Sequence, residues 1–318
     1  MKIVFLGTGD IGLPFLEKLI ASPEHEILAV FTQPDKPVGR HQTLTPPAVK
    51  KMAEAAGIPV HQPEKLRDED TLTLLENFES DVFVVIAYGQ ILRKRALEAP
   101  RLACLNVHAS LLPRHRGASP IQAAIREGDA QSGVTIMFMD EGLDTGDILL
   151  TRELKLADQE TGGSLHDRLA EDAPAALFEA LDLISNESAP RAPQDNSQAT
   201  HCTKLTREDG RIDWSKSAVE IERLVRAYDP WPGTWTTIPF PEGKSRKLKI
   251  YPPCEVADSD ACPDSGTILS ADNSGILVST GDGLLCIQSL QMEGKKRMDV
   301  ASFMTGNNIE AGQKFTST

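Results

Sequence analysis

Residues 2–20, KIVFLGTGDIGLPFLEKLI, decide the fold. Residues 2–6 are a short apolar strand, residues 7–12 a glycine-rich turn, and Leu13, Phe15, Leu16, Leu19 and Ile20 then recur at helical spacing. A strand that passes through glycine directly into a helix opens a βαβ unit. The pattern returns downstream: a strand at 26–31, a helix at 48–56 stopped by Gly57, a brief strand at 58–61 and an amphipathic helix at 66–78. Residues 81–87 form a continuous apolar run, as in strands buried on both faces of a parallel sheet. This alternation predicts a doubly wound, Rossmann-like α/β domain.

Gly7, Gly9 and Gly12 match the G-x-G-x-x-G turn of dinucleotide-binding domains. Such a site also needs an acidic residue at the end of the next strand to hold the ribose. Here that strand runs into Thr32 and Gln33, and Asp35 comes only after Pro34, inside a turn. We therefore read the glycines as a tight strand-to-helix connection. A dinucleotide-dependent oxidoreductase, or a non-catalytic nucleotide-binding module, stands as the alternative of another class.

Further along, residues 105–108 form a strand carrying Asn106 and His108 two apart, so both side chains leave one face and meet the space beyond the strand end. Alone, the pair reads equally well as structural, a core histidine and an asparagine that bonds the next turn. A helix at 120–127 and a strand at 132–139 lead to the turn at 140–147, where Asp140, Glu141, Asp144 and Asp147 stand among Gly142 and Gly146. These carboxylates either serve the turn or deliver one acid to the site from a neighbouring strand. A long helix at 165–185 closes the domain, with Leu169, Ala173, Leu177 and Leu181 on its apolar side.

Residues 186–207, where the composition shifts to Pro, Ser, Asn and Gln, are expected to be a linker between domains 1–185 and 208–318. The second domain has a capping box at Ser217 and Glu220, an aromatic turn at Trp231, Pro232, Gly233 and Trp235, and short strands at 248–251, 266–269, 275–279 and 284–290. These elements predict a smaller C-terminal OB-like β-barrel.

Net charge is −13, of which residues 1–203 carry −11 and residues 204–318 only −2. The acidic total argues against broad attraction to nucleic acid, yet Lys244, Arg246, Lys247 and Lys249 form one local basic cluster and Lys295, Lys296 and Arg297 another. Five scattered cysteines without a C-x-x-C pair, and seven histidines without an H-x-x-x-H pair, predict neither a disulfide framework nor a metal site. No apolar run approaches the ~18 residues of a membrane span, and the first strand begins at once, so the cytoplasm is the expected compartment.

Asn106, Val107 and His108, with Ser110, Leu111, Leu112, Pro113, Arg116 and Gly117 and then Asp144, resemble the signature of the folate-dependent formyltransferases. The proline-rich loop at 33–47, the stretch 210–235 and the ending 294–315 resemble the branch that formylates methionine already attached to initiator tRNA, so the likeness covers essentially the whole chain. The resemblance implies a formyltransferase catalytic domain followed by a tRNA-binding domain, with 10-formyltetrahydrofolate as formyl donor and initiator methionyl-tRNA as acceptor. Asn106, His108 and Asp144 would be the catalytic residues. The resemblance also implies that Ser110, Leu111, Leu112 and Pro113 contact the folate ring, with Ile86, Ala87, Tyr88 and Gly89 lining that pocket. Arg40 and Lys36 in the loop, together with the two basic clusters, would contact tRNA, and the enzyme would act as a monomer away from membranes.

The chemistry suits these residues. An amine that attacks a formamide carbon generates an oxyanion, which an amide N–H stabilises, and an imidazole beside a carboxylate can move the proton. Three departures stand out: His41, Gln42 and Thr43 follow Arg40 where relatives carry lysines, Gly9 replaces a proline, and His115 replaces an aromatic residue. The first weakens the expected grip on phosphate. It keeps open a second reading within the class, formyl transfer to a small amine such as an amino sugar nucleotide or glycinamide ribonucleotide.

Overall fold

The computed structural model describes residues 1–39, 41–239, 245–258 and 264–316. The chain divides into two compact units, one of residues 1–120, 131–155 and 166–202, the other of residues 121–130, 156–165 and 203–318. In chain order the elements are β1 (Lys2–Gly7), α1 (Leu13–Ala21), β2 (Glu26–Phe31), β3 (Lys36–Val38), β4 (Thr43–Thr45), α2 (Ala48–Ala55), β5 (Val60–His61), α3 (Glu69–Asn77), β6 (Val82–Ile86) and α4 (Lys94–Leu97). There follow β7 (Ala103–His108), β8 (Arg116–Gly117), α5 (Pro120–Arg126), β9 (Gln131–Phe138), β10 (Ile148–Lys155), α6 (Gly162–Ser185) and β11 (His201–Cys202).

The main sheet of the first unit has the strand order β10-β9-β7-β6-β1-β2-β5. Neighbours from β5 to β7 are parallel, while β9 and β10 are added antiparallel at the other edge. The chain leaves β1 toward β2 and β5, then returns to β6 on the far side of β1. Strand order therefore reverses between β1 and β6, and ligands of open α/β sheets bind beyond the carboxyl ends at such a switch point.

All five residues of β6 are buried because both faces of the sheet are covered. On one face Ile3, Phe5, Val84, Leu105 and Val107 pack with α1, α2 and α6; on the other Val4, Leu6, Val85 and Cys104 pack with α3 and α4. Each fully buried aliphatic side chain contributes about 1.5–3 kcal/mol, so the sheet is a rigid base for whatever its strand ends carry.

The glycine turn after β1 is a packing device. A Cβ on Gly7 would collide with the Phe5 ring, and one on Gly9 would press on Ala87 in the turn after β6. Asp35 is already engaged: its carboxylate accepts hydrogen bonds from Gln62 Nε2 (2.7 Å) and Lys50 Nζ (3.1 Å). These partners hold the carboxyl below the usual carboxylate range and pin the base of the β3–β4 hairpin, which occupies the proline-rich loop.

In the second unit α7 (Ala218–Ala227) begins at the Ser217–Glu220 capping box. It is followed by β12 (Thr234–Pro239), β13 (Ser245–Ala257), β14 (Ile268–Asp272), β15 (Gly275–Ser279), β16 (Leu284–Met292), β17 (Met298–Asp299) and α8 (Val300–Met304). The sheet runs β12-β13-β16-β15-β14, with β17 beside β16. Thr316 exchanges backbone hydrogen bonds with Thr237 on β12, and Ile268 on β14 donates to the Gln313 carbonyl. The last segment thus joins the two outer strands and closes the sheet. Trp214 anchors the interior, donating Nε1–H to Thr236 Oγ1 at 3.0 Å and stacking on Phe315.

Two strands differ from expectation. The edge strand β10 is exposed at four of its eight residues and runs from Ile, Leu and Leu into Thr, Arg, Glu and Lys, so no apolar alternation marks it. In β12 the threonines carry the alternation that the sequence reading did not pick up. A third difference bears on the site. The segment expected to be a linker carries structure: Ala192 exchanges backbone hydrogen bonds with Ile148, and residues 201–202 pair with residues 116–117 as β11 and β8.

Candidate active site

Leu105 and Val107 face the core, so the alternate residues Asn106 and His108 of β7 face the opposite side. His108 is 5% exposed. Its Nε2 lies 2.9 Å from the His115 carbonyl oxygen. That oxygen can only accept, so Nε2 carries a hydrogen and Nδ1 is left facing Asp144 Oδ2 at 3.7 Å. The tautomer is therefore set by His115, whose own N–H is held by Thr200 Oγ1 at 2.8 Å. The ring nitrogen not engaged by the His115 carbonyl is thus the one beside the carboxylate.

Asp144 sits in a left-handed backbone conformation, φ 53°, which for a non-glycine residue costs about 1–3 kcal/mol. The strain turns its carboxylate inward. Oδ1 accepts from Asn106 Nδ2 at 3.2 Å, and Oδ2 accepts from the Gly117 N–H at 2.8 Å. Gly117 itself has φ 119°, and any Cβ there would overlap the Cys202 carbonyl oxygen, so only glycine lets β8 approach β11 this closely. Asp144, distant in sequence, thus converges with Asn106 and His108 at the end of β7. Among the described residues Asn106 engages one amide hydrogen; its second N–H and its Oδ1 are open to an incoming molecule.

The neighbouring segment divides by role. Ser110 and Leu112 are buried, with the Ser110 carbonyl and the Leu112 N–H both bonded to Thr135 Oγ1. Leu111 and Pro113 are half-buried. At the switch point, the Ile86 and Tyr88 side chains belong to the two opposing cores, while Ala87 and Gly89 are exposed at φ 46° and 79°. The surface at 86–89 is therefore made of backbone and two small residues. Thr8 and Gln33 both donate to the Tyr88 carbonyl, tying the ends of β1, β2 and β6 together.

Gln194 escaped the sequence reading, which named Arg116 and Gly117 in the family signature but gave the buried Arg116 guanidinium and the Gly117 N–H no role. Gln194 Nε2 donates to the carbonyls of Asp144 (2.9 Å) and Gly146 (2.7 Å), and its Oε1 accepts from Arg116. No periodicity or motif marks Gln194 in a stretch composed like a linker.

Of the basic residues, Arg40 and Lys244 lie outside the described residues. Lys36 is exposed on β3. In the second unit Arg246, Lys247 and Lys249 stand on β13, opposite the end of β16, where Lys247 O accepts from Glu293 N. Lys295, Lys296 and Arg297 follow directly on that end of β16 and are exposed. Strand pairing therefore brings the two clusters to the same end of the sheet. There Lys247 Nζ lies 3.4 Å over the Trp235 ring and Arg297 stacks on Tyr251. Among the described residues no group of three or more His, Cys, Asp or Glu is arranged to hold a metal ion, and no helix is long and apolar enough to cross a membrane.

The doubly wound sheet carries an amide, an imidazole and a carboxylate at its strand ends and is followed by a closed antiparallel sheet, and by its sequence matches the chain belongs to the formyl transferase family. Residues 1–181 match the formyl transferase family and residues 204–308 the formyl transferase C-terminal domain family. The chain is 45% identical over 307 residues to the methionyl-tRNA formyltransferase of Akkermansia muciniphila, covering 96% of this chain and 97% of that one. It is 46% identical over 312 residues to the methionyl-tRNA formyltransferase of Clostridioides difficile, covering 98% and 99%. Among solved structures, the Helicobacter canadensis N-formyltransferase in complex with folinic acid and dTDP-3-aminofucose shares the fold, with a TM-score of 0.62 at 17% identity over 94% of this chain and 100% of that one.

Proposed function

We propose that the chain transfers the formyl group of 10-formyltetrahydrofolate to the α-amine of methionyl initiator tRNA, giving formylmethionyl-tRNA in the cytoplasm. The observation that carries this reading is the convergence of Asn106, His108 and Asp144 at the end of β7 in a chain about 45% identical to methionyl-tRNA formyltransferases over 96% or more of its length. The donor's chemistry agrees with the residues present. A half-buried amide has an open N–H for the formyl oxygen, and the exposed Ala87 and Gly89 with the half-buried Leu111 and Pro113 would line the donor's pocket.

In the first step the acceptor nitrogen forms a bond to the formyl carbon and the carbonyl electron pair moves to oxygen. Asn106 Nδ2 donates to that oxyanion; one such donor is commonly worth about 3–4 kcal/mol. His108 Nδ1, unprotonated while Nε2 bonds His115, takes the proton the attacking amine releases. Asp144 Oδ2 stabilises the resulting imidazolium. In the second step the oxyanion's electron pair re-forms the carbonyl, the bond from carbon to the folate nitrogen breaks with its pair going to that nitrogen, and the proton follows it from His108, leaving tetrahydrofolate and the formylated amine.

The second unit supports a large acceptor. Its joined basic clusters offer phosphate contacts on a protein whose net charge is otherwise repulsive to tRNA, and Lys36 would add a contact from the hairpin. The test compares acceptors: kcat/KM should be far higher for methionyl initiator tRNA than for an amino sugar nucleotide or glycinamide ribonucleotide. A preference for either small amine would overturn the assignment.

A further inference from the structure

The proposed chemistry requires the Asp144 carboxylate to stay opposite His108, yet it sits on a glycine-flanked turn in a strained backbone conformation. What holds it comes from residues 186–202. This segment is tied down on one side by the Ala192–Ile148 pair and on the other by β11 against β8, and Gln194 lies between them. The Gln194 amide makes four contacts. Both N–H groups donate into the turn, to Asp144 O and Gly146 O, and Oε1 accepts from Nε and Nη2 of Arg116, which also reaches Asn196 Oδ1 at 2.8 Å. Arg116 is 4% exposed and directly precedes Gly117, whose N–H holds Asp144 Oδ2. The carboxylate is thus gripped through its side chain by Gly117 and through its own carbonyl by Gln194, and Arg116 orients the amide that does the second.

We infer that Gln194 is a positioning residue of formyl transfer: its amide, oriented by Arg116, clamps the Asp144 turn so that the carboxylate faces His108. This inference rests on the site assignment under Proposed function. The segment 186–202 then acts as a strap across the active site, and its lack of periodicity follows from making its contacts through one side-chain amide and isolated backbone pairs.

Two substitutions separate the parts of the clamp. Gln194→Ala removes all four contacts. Gln194→Glu keeps oxygen toward Arg116 but sets a carboxylate oxygen against two carbonyl oxygens, so it loses the turn while keeping the arginine. Both should lower kcat about 10- to 100-fold, the scale of a misplacement of roughly 1 Å, with KM for folate and tRNA little changed. In an Asp144→Asn background the same substitutions should change the residual rate by no more than about threefold, because residues acting as one unit are not additive. The Gly117 amide hydrogen, held by Asp144, should exchange faster in Gln194→Ala than in the wild type.

Equal fold losses in both backgrounds, a full rate in Gln194→Glu, or unchanged exchange at Gly117 would each overturn the clamp. Should Asp144→Asn itself turn over at the wild-type rate, the site assignment falls and the clamp with it. A slow Asp144→Asn beside fully active Gln194 variants removes the clamp alone.

Discussion

Replacing Asp144 by asparagine keeps the shape of the side chain and removes its charge, so the consequence can be worked from two distances. Oδ2 lies 3.7 Å from His108 Nδ1, with both side chains well buried. Once the imidazole has taken the proton, the pair attracts with about 332/(20 × 3.7), or about 4.5 kcal/mol at an effective dielectric of about 20. At 1.36 kcal/mol per tenfold, that sets a ceiling of about 2,000-fold on the rate. Proton transfer is incomplete in the transition state, and the expected loss is about 100- to 1,000-fold in the single-turnover rate. Ground-state stability should fall too. Asp144 accepts from both Asn106 Nδ2 and the Gly117 N–H, and asparagine has one oxygen to offer them. One hydrogen bond to a charged group is lost, about 1.5–3 kcal/mol. Rapid-quench transfer from 10-formyltetrahydrofolate to methionyl-tRNA reads the first effect, and denaturant unfolding reads the second. A single-turnover rate within tenfold of wild type would refute the role given to the carboxylate.

Three further outcomes are expected. Gly117→Ala should unfold more easily by several kcal/mol, because a left-handed backbone costs about 1–3 kcal/mol and the overlap with the Cys202 carbonyl adds a similar amount; stability within about 0.5 kcal/mol of wild type would contradict the close approach of β8 and β11. Lys249→Glu should weaken tRNA binding, lower the slope of log affinity against log salt by about 1, and leave folate use unchanged; an unaltered slope would remove this face from the tRNA surface. Burial pushes the Cys104 and Cys254 thiols well above their ordinary range, so both should resist a disulfide reagent until the protein unfolds; labelling in the native state would show that these cores open.

The α/β domain was legible because its strands and helices obey periods of 2 and 3.6: the apolar run of β6 and the Leu169–Ala173–Leu177–Leu181 stripe of α6 each mark an element buried along one face or two. Asn106 and His108 could be paired because two residues apart on a strand is the same face. The Gly7, Gly9 and Gly12 pattern was open to two readings, and the contacts of Gly7 with Phe5 and of Gly9 with Ala87, with Asp35 taken up by Lys50 and Gln62, favour close packing. Asp144 could not be brought to the site from spacing alone, since its approach depends on a left-handed turn that periodicity does not report. Gln194 was hidden for the same reason, and β10 because an exposed edge strand carries no apolar alternation. The second unit also gathers residues 121–130 and 156–165, which a linear search for a boundary does not reach.

The most direct measurement follows labelled formyl from 10-formyltetrahydrofolate onto methionyl initiator tRNA, with the purified wild-type chain beside Asn106→Ala, His108→Ala and Asp144→Ala. The wild type should place the label on the methionine amine, and each variant should lose most of the rate while remaining folded. No transfer by the wild type, or near-normal transfer by all three variants, would contradict formyl transfer at the end of β7.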